Sequence, residues 1–307
     1  MTDNRRISTL DNTAVPNLDA RVILEPLDAL LAALENKIER EWPTRFRGVL
    51  GAPQLVLVTL KTANVTYRSI RFLCADKPAD TFRKPEYSIS VPPLNRTILD
   101  NLFTLIFVFE DLPKRCEWYF KADWRESRLE LNRYQAAYGA DPNWQDWIGR
   151  LTAYCDSGIS LLGLSPTEIA QPRKIPYWPN PGKMPNYGSN STSVASPVRQ
   201  FLRYLHDWFY ADMSQQSHLG GSGLAKRAGV LLHPERAAER DAAFVKSKRA
   251  NVGQTVALML ALATEIEVYF DFGLRERVNY VWGLATLGLA IAKELYDKRY
   301  AELLADT

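Results

Sequence analysis

The sequence predicts an all-α protein, a multi-helix bundle of about eight helices crossed by a long proline-rich loop. Three observations predict it. Apolar residues recur at spacings of three and four along most of the chain, the period of a helix with one buried stripe. Proline and glycine gather into a few stretches that punctuate these periods. No two alternating runs read as a convincing strand hairpin. The hydrophobic share of 46% and the charged share of 24% are those of an ordinary globular chain. That excludes collagen-like, wholly disordered and disulfide-rich classes. Residues 1–20 are polar without a sustained period and read as an N-terminal arm. Residues 21–307 read as a single helical domain interrupted by the loop at 171–197.

The elements follow in order. Leu24, Leu27, Leu30, Leu31, Leu34 and Ile38 set the period of a first helix over 22–42, stopped at Trp42-Pro43. A second helix spans 53–74, opened by a proline pre-organised for the first turn. Leu55, Val58, Ala63 and Val65 are assigned to its apolar side. The β-branched content keeps a strand as the alternative for 55–60. Prolines 78, 85, 92 and 93 break the chain over 77–93. The third helix, 94–112, is almost wholly apolar over 102–109, which marks it as central. Pro113 interrupts it. A charged, aromatic helix follows over 115–137, closed by Gly139 and Pro142, and another over 144–162, ended by Gly163. The stretch 171–197 holds six of the 18 prolines and no apolar period, so it cannot continue a helix. A loop of that length is usually functional or disordered. Helices return over 198–218, 235–273 and 275–304, with a glycine-bearing loop at 220–229.

Charge narrows the function classes little. Lys plus Arg number 38 against 35 Asp plus Glu, a net charge of +3, which is too small to imply a nucleic-acid binder from bulk electrostatics. Arginine outnumbers lysine, and arginine suits buried ion pairs, so some arginines should be internal. The three cysteines, Cys74, Cys116 and Cys155, form no CxxC and lie near no histidine. They are expected to be free thiols, in neither a disulfide framework nor a zinc site. The N-terminal stretch lacks the apolar region of a secretory signal. The apolar runs 102–109, 256–263 and 281–292 fall short of the ~20 residues of a membrane span. The expectation is a soluble, cytoplasmic chain with no membrane span, cofactor or metal.

Two polar clusters interrupt this apolar pattern. His206, Tyr210, Ser214 and His218 follow one another at i+4, so successive members stack about 6 Å apart along one side of a helix. Ser214 could then bond His218 or Tyr210, and an imidazole held by a hydroxyl can act as general acid or base. The plainer account is that Tyr210 and Ser214 satisfy one another in the core while His218 caps the helix end. The second cluster is Arg96-Thr97-Ile98-Leu99-Asp100, where Arg96 and Asp100 are i,i+4 and can pair at the mouth of the most apolar helix. Buried polar groups need partners, so the two clusters are expected to meet. Glu110 and Asp111, at the far end of that helix, look like an ordinary polar terminus.

Other patterns carry less. Arg173, Lys174, Tyr177, Trp178, Lys183 and Tyr187 interleave basic and aromatic side chains in the proline-rich loop. Such a segment could track a single nucleic-acid strand, or its rings could pin a wrap onto the helices. Gly220-Gly221-Ser222-Gly223 lacks the Gly-Lys-Ser/Thr ending and preceding strand of a phosphate loop. Glu265 and Glu267 fall on nearly opposite sides of a helix, which is not the carboxylate pairing of a di-iron bundle.

The Arg-x3-Asp pattern of Arg96 and Asp100 ahead of an apolar helix, with the Tyr-x3-Ser-x3-His pattern of Tyr210, Ser214 and His218, resembles an uncharacterised family of bacterial all-helical proteins. That family typically has Glu where this chain has Asp100. Arg199-x6-His206 is more loosely similar to the motif of the HEPN superfamily of helical ribonucleases and toxins. Here Gln200 stands where Asn, Asp or His is usual. The resemblance implies a metal-independent ribonuclease-like effector of a defence or toxin system. In it Arg96, paired with Asp100, would hold phosphate, His218 would move the proton, and Tyr210 and Ser214 would orient it. The alternative is a non-catalytic helical interaction module in which the same residues fix helix register. The expected partners are RNA or a protein, with self-association into a homo-oligomer compatible with either.

Overall fold

The computed structural model describes residues 20–45, 48–49, 51–74, 90–187, 196–210, 213–214 and 237–305. Among these the regular elements are helical and none is a strand. The α-helices are α1 (Ala20–Arg45), α2 (Ala52–Leu73), α3 (Val91–Phe109), α4 (Leu112–Tyr138), α5 (Gln145–Leu161), α6 (Pro166–Ala170), α7 (Pro197–Leu205), α8 (Ala237–Phe270), α9 (Arg275–Gly288), α10 (Ala290–Leu295) and α11 (Ala301–Ala305). One-turn π-helical segments, His206–Tyr210 and Tyr296–Tyr300, follow α7 and α10.

The centre is built by α8 and α3, packed on each other and on α2. Both are apolar on more than one face, so both must be enclosed. In α8 the side chains from Val256 to Ile266 are buried. The predicted central helix 94–112 therefore shares that role with α8. A polar lock joins the two. Asn95 Nδ2 donates to the Asn251 carbonyl at 3.1 Å, and Thr255 Oγ1 donates to Asn95 Oδ1 at 2.7 Å. The stretch Ala250–Phe270 is 21 residues long and apolar enough to cross a membrane by length and composition. That corrects the expectation that every apolar run is too short. In the fold 78% of its apolar window is buried against other helices.

Several predicted boundaries shift for identifiable reasons. α1 continues past the predicted stop at Trp42-Pro43, where Arg45 donates to the Phe270 and Asp271 carbonyls and so ties its end to the end of α8. Residues 55–60 are helical, which removes the strand alternative. Val58 and Val65, assigned to the apolar side, are 61% and 65% exposed. At 100° per residue the buried stripe of Leu55, Val56, Leu60, Ala63 and Tyr67 turns them outward. α3 starts at Val91 because Pro92 and Pro93 sit in a first turn that needs no N–H from them. The predicted last helix is split at Leu289, whose φ of −136° and ψ of 110° are extended. The chain turns there to lay Leu289 over Gly253, where an added Cβ would come within 3.2 Å of Leu289 Cδ2.

α4 and α5 form a hairpin with its own small clusters, one of Trp124, Leu164 and Ile175, the other of Leu131, Ile148 and Cys155. Trp124 Nε1 donates to the Cys155 carbonyl at 2.8 Å, and its ring leaves no room for a Cβ on Gly158.

The proline-rich stretch is a wrap with two short 3-10 turns, Pro172–Lys174 and Met184–Asn186, and buries Ile175, Met184 and Pro185. Its 188–195 portion lies outside the described residues. Trp178 meets Phe107, Trp118 and Tyr119 edge-on, Tyr187 packs on Phe107 and Trp118, and Trp118 Nε1 donates to the Pro176 carbonyl. Glu110 is not an ordinary polar terminus. It accepts from Arg115 and from Arg199 Nε at 2.7 Å, with its side chain 18% exposed. Arg199 Nη1 reaches on to the Met184 and Tyr187 carbonyls, so one carboxylate anchors the wrap to the end of α3.

Candidate functional site

The two polar clusters meet. Arg96 lies on the first half of α3, on the side that faces the segment after α7. Its Nη1 donates to Ser214 Oγ at 2.9 Å and its Nη2 to Tyr210 Oη at 2.6 Å. The guanidinium carbon sits 4.6 Å from the Tyr210 ring centroid, within cation–π range. Phe103, two turns along α3, meets the Tyr210 ring edge-on at 6.0 Å. Arg96 thus binds two hydroxyls and a ring face from one neighbouring segment, with its side chain 17% exposed.

Three of the four ladder residues, His206, Tyr210 and Ser214, lie among the described residues. His206–Tyr210 forms a π-helical turn, which widens the helix by one residue. Among the described residues, Tyr210 and Ser214 are joined through the Arg96 guanidinium. The imidazole of His206 stacks on Tyr210 with centroids 5.5 Å apart, and its Nδ1 lies 3.0 Å from Asp207 Oδ1. His218 lies outside the described residues, as do the glycines at 220–223.

Asp100 stands one turn beyond Arg96, its Oδ2 3.7 Å from Arg96 Nε, an ion pair longer than a hydrogen bond. Its Oδ1 is shut off from solvent and accepts no hydrogen bond from a described residue. Burial therefore pushes the Asp100 carboxyl above the usual carboxylate range, and the positive charge of Arg96 offsets only part of that. A carboxyl raised in the fold holds its proton more tightly there than in the unfolded chain. Stability then falls as pH rises from the ordinary aspartate value through the raised one. Asp100→Asn should remove this dependence. The difference in urea-unfolding free energy between variant and wild type should be near zero at pH 3 and shift in favour of the variant toward pH 7. A variant that loses stability as pH rises would mean that the Arg96–Asp100 attraction outweighs the burial.

Arg199 and His206, the other spaced pair, take separate partners: Arg199 binds Glu110 and wrap carbonyls, while His206 binds Asp207 and Tyr210. Glu265 and Glu267 are both buried and also separate. Glu265 accepts from Arg299 at 2.5 and 2.9 Å and from Tyr300 Oη at 3.0 Å. Glu267 accepts the Phe272 and Leu274 backbone N–H groups and holds the turn at Gly273, where φ is 74°. The three cysteines are in no disulfide and are buried, and burial pushes the Cys116 thiol up to about 12, which suppresses the nucleophilic thiolate at neutral pH. Among the described residues no three His, Cys, Asp or Glu side chains gather to hold a metal ion.

Sequence reasoning missed the role of Glu110, and it could not see the π-turn, since the spacing of apolar residues carries no sign of one inserted residue. The signal for Glu110 is present as an acid closing the most apolar helix, in a chain rich in arginine. No family model, curated protein or solved structure matches this chain.

Proposed function

We propose that this chain is a metal-independent, ribonuclease-like helical protein that holds a phosphodiester at Arg96. One observation carries the reading. Both Tyr210 Oη and Ser214 Oγ accept from the Arg96 guanidinium, so each keeps its own hydrogen to donate to another oxygen. A cation and two hydroxyl donors within one side chain's reach are what the non-bridging oxygens of a phosphodiester take. In this reading Tyr210 and Ser214 orient the phosphate and Asp100 aligns Arg96. The proton is assigned to His218, for which an unperturbed imidazole is suited near neutral pH. The likeness of these residues to the helical bacterial family and to HEPN ribonucleases supports the same reading, with a role as a cytoplasmic effector of a defence or toxin system.

A second reading rests on a specific contact pattern. Arg96 bridges α3 to the segment after α7 much as Arg299 bridges its π-turn to Glu265 on α8, so the cluster could act as a strut in an interaction module. Incubating the full chain with labelled single-stranded RNA in the presence of chelator separates the two. The ribonuclease reading expects cleavage by the wild type, a loss of at least about 100-fold in Arg96→Ala, and intermediate activity in Arg96→Lys. Wild-type protein that neither binds nor cleaves RNA, with an Arg96→Ala variant that only unfolds at lower urea, establishes the strut.

A further inference from the structure

Of the three aromatic residues in the wrap, two are used for packing and one is not. Trp178 and Tyr187 enter the cluster around Phe107 and Trp118. Tyr177 lies between prolines 176 and 179 and is 69% exposed. Its inner face rests on the guanidinium of Arg125, whose carbon is 3.5 Å from the ring centroid. Arg125 is 1% exposed, its Nε makes no hydrogen bond, and it pairs with the carboxylate of the adjacent, outward-facing Glu126. An arginine enclosed in this way supports the ring from below. The Pro176 carbonyl is held by Trp118 Nε1 at 3.0 Å, and Trp178 is locked in its cluster, so Tyr177 is fixed from both sides. The result is a rigid ring, backed by a cation, with its outer face open.

We infer that Tyr177 is a stacking platform for an unpaired base of single-stranded RNA, a second subsite on the substrate held at Arg96. The inference rests on the ribonuclease reading and adds to it a subsite for an unpaired base. The same wrap runs from Tyr177 to Gly182, which lies against His206, a Cβ added there coming within 3.1 Å of Nε2. Five residues reach at most about 17 Å, so the platform and the Arg96 site fall within a few nucleotides of one strand. Lys174 and Lys183 are exposed before and after Tyr177 along the wrap and can meet backbone phosphates while the ring takes the base. A duplex would not fit, because its bases are already stacked and their faces hidden.

Two probes test this: the dinucleotide UpU, too short to span both places, and a fluorescein-labelled single-stranded RNA ten-mer, with binding read by saturation-transfer NMR and anisotropy. Tyr177→Ala is expected to weaken the ten-mer roughly tenfold or more, since one base–aromatic stack contributes about 1–3 kcal/mol, and to leave UpU unchanged. Tyr177→Trp should restore binding, and Tyr177→Leu, which covers Arg125 without a ring, should not. Annealing the ten-mer to its complement should abolish the dependence on Tyr177. If Tyr177→Ala binds the ten-mer as the wild type does while Arg96→Ala fails on both probes, the platform is wrong and the phosphodiester site stands. If the wild type binds neither probe, both ideas fail.

Discussion

Glu265→Ala should destabilise the protein by about 3–5 kcal/mol, the loss typical of removing one partner from a buried ion pair. Glu265 lies on the most enclosed helix, with its side chain 5% exposed, and Arg299 is 10% exposed. Both carboxylate oxygens are used, one by Arg299 Nε and Tyr300 Oη, the other by Arg299 Nη2. The alanine variant strands the Arg299 charge between Phe201 and the core, with no water to replace the carboxylate. It also leaves Tyr300, stacked on Trp282, with a buried hydroxyl whose acceptor is gone. Urea unfolding measures the loss. The paired replacement Glu265→Met with Arg299→Met should recover most of it, because it removes both charges together. A single-variant loss under about 1 kcal/mol would mean that water reaches the site and that the pair is not enclosed as the geometry indicates.

Glu110→Ala should cost about 3 kcal/mol on the same reasoning and should also loosen the wrap. Two arginines lean on this one carboxylate, with their side chains 13% and 16% exposed, and both lie over the Phe107 ring. Removing it leaves two like charges facing each other at the end of α3. Arg199 holds the Met184 and Tyr187 carbonyls, so the wrap loses an aligned anchor as well as charge balance. Trypsin cleavage after Lys183, which is exposed, should become faster in the variant under native conditions. A stable variant with an equally resistant wrap would mean that Trp178 and Tyr187 packing alone secures it.

Much of the helical architecture is legible in the chain. The spacing of Leu27, Leu30, Leu31, Leu34 and Ile38 places α1, and all five are buried. The dense apolar run after Arg96 marks α3 as central. The pairing of the two polar clusters is legible in the same way. A guanidinium in one apolar helix and two hydroxyls in another each need a partner, and the cheapest arrangement brings them together. On α2, position outweighs valine identity in setting the buried face. Val58 and Val65 are apolar, yet the helix period turns them from the stripe that α1 and α3 cover.

What the sequence by itself determines here is where helices form, since the period of apolar residues and the positions of proline are local properties. Its excess of arginine over lysine also points to charges kept inside, as at Arg125, Arg199 and Arg299. Only the tertiary structure decides which residue satisfies which. Glu110 and Arg199 stand 89 positions apart, and Arg96 and Ser214 118 positions apart. No local rule links them. The split at Leu289 and the π-turn at His206–Tyr210 belong to the same class. Each sets a side chain into place against a partner on another helix, and helix periodicity alone does not encode that partner.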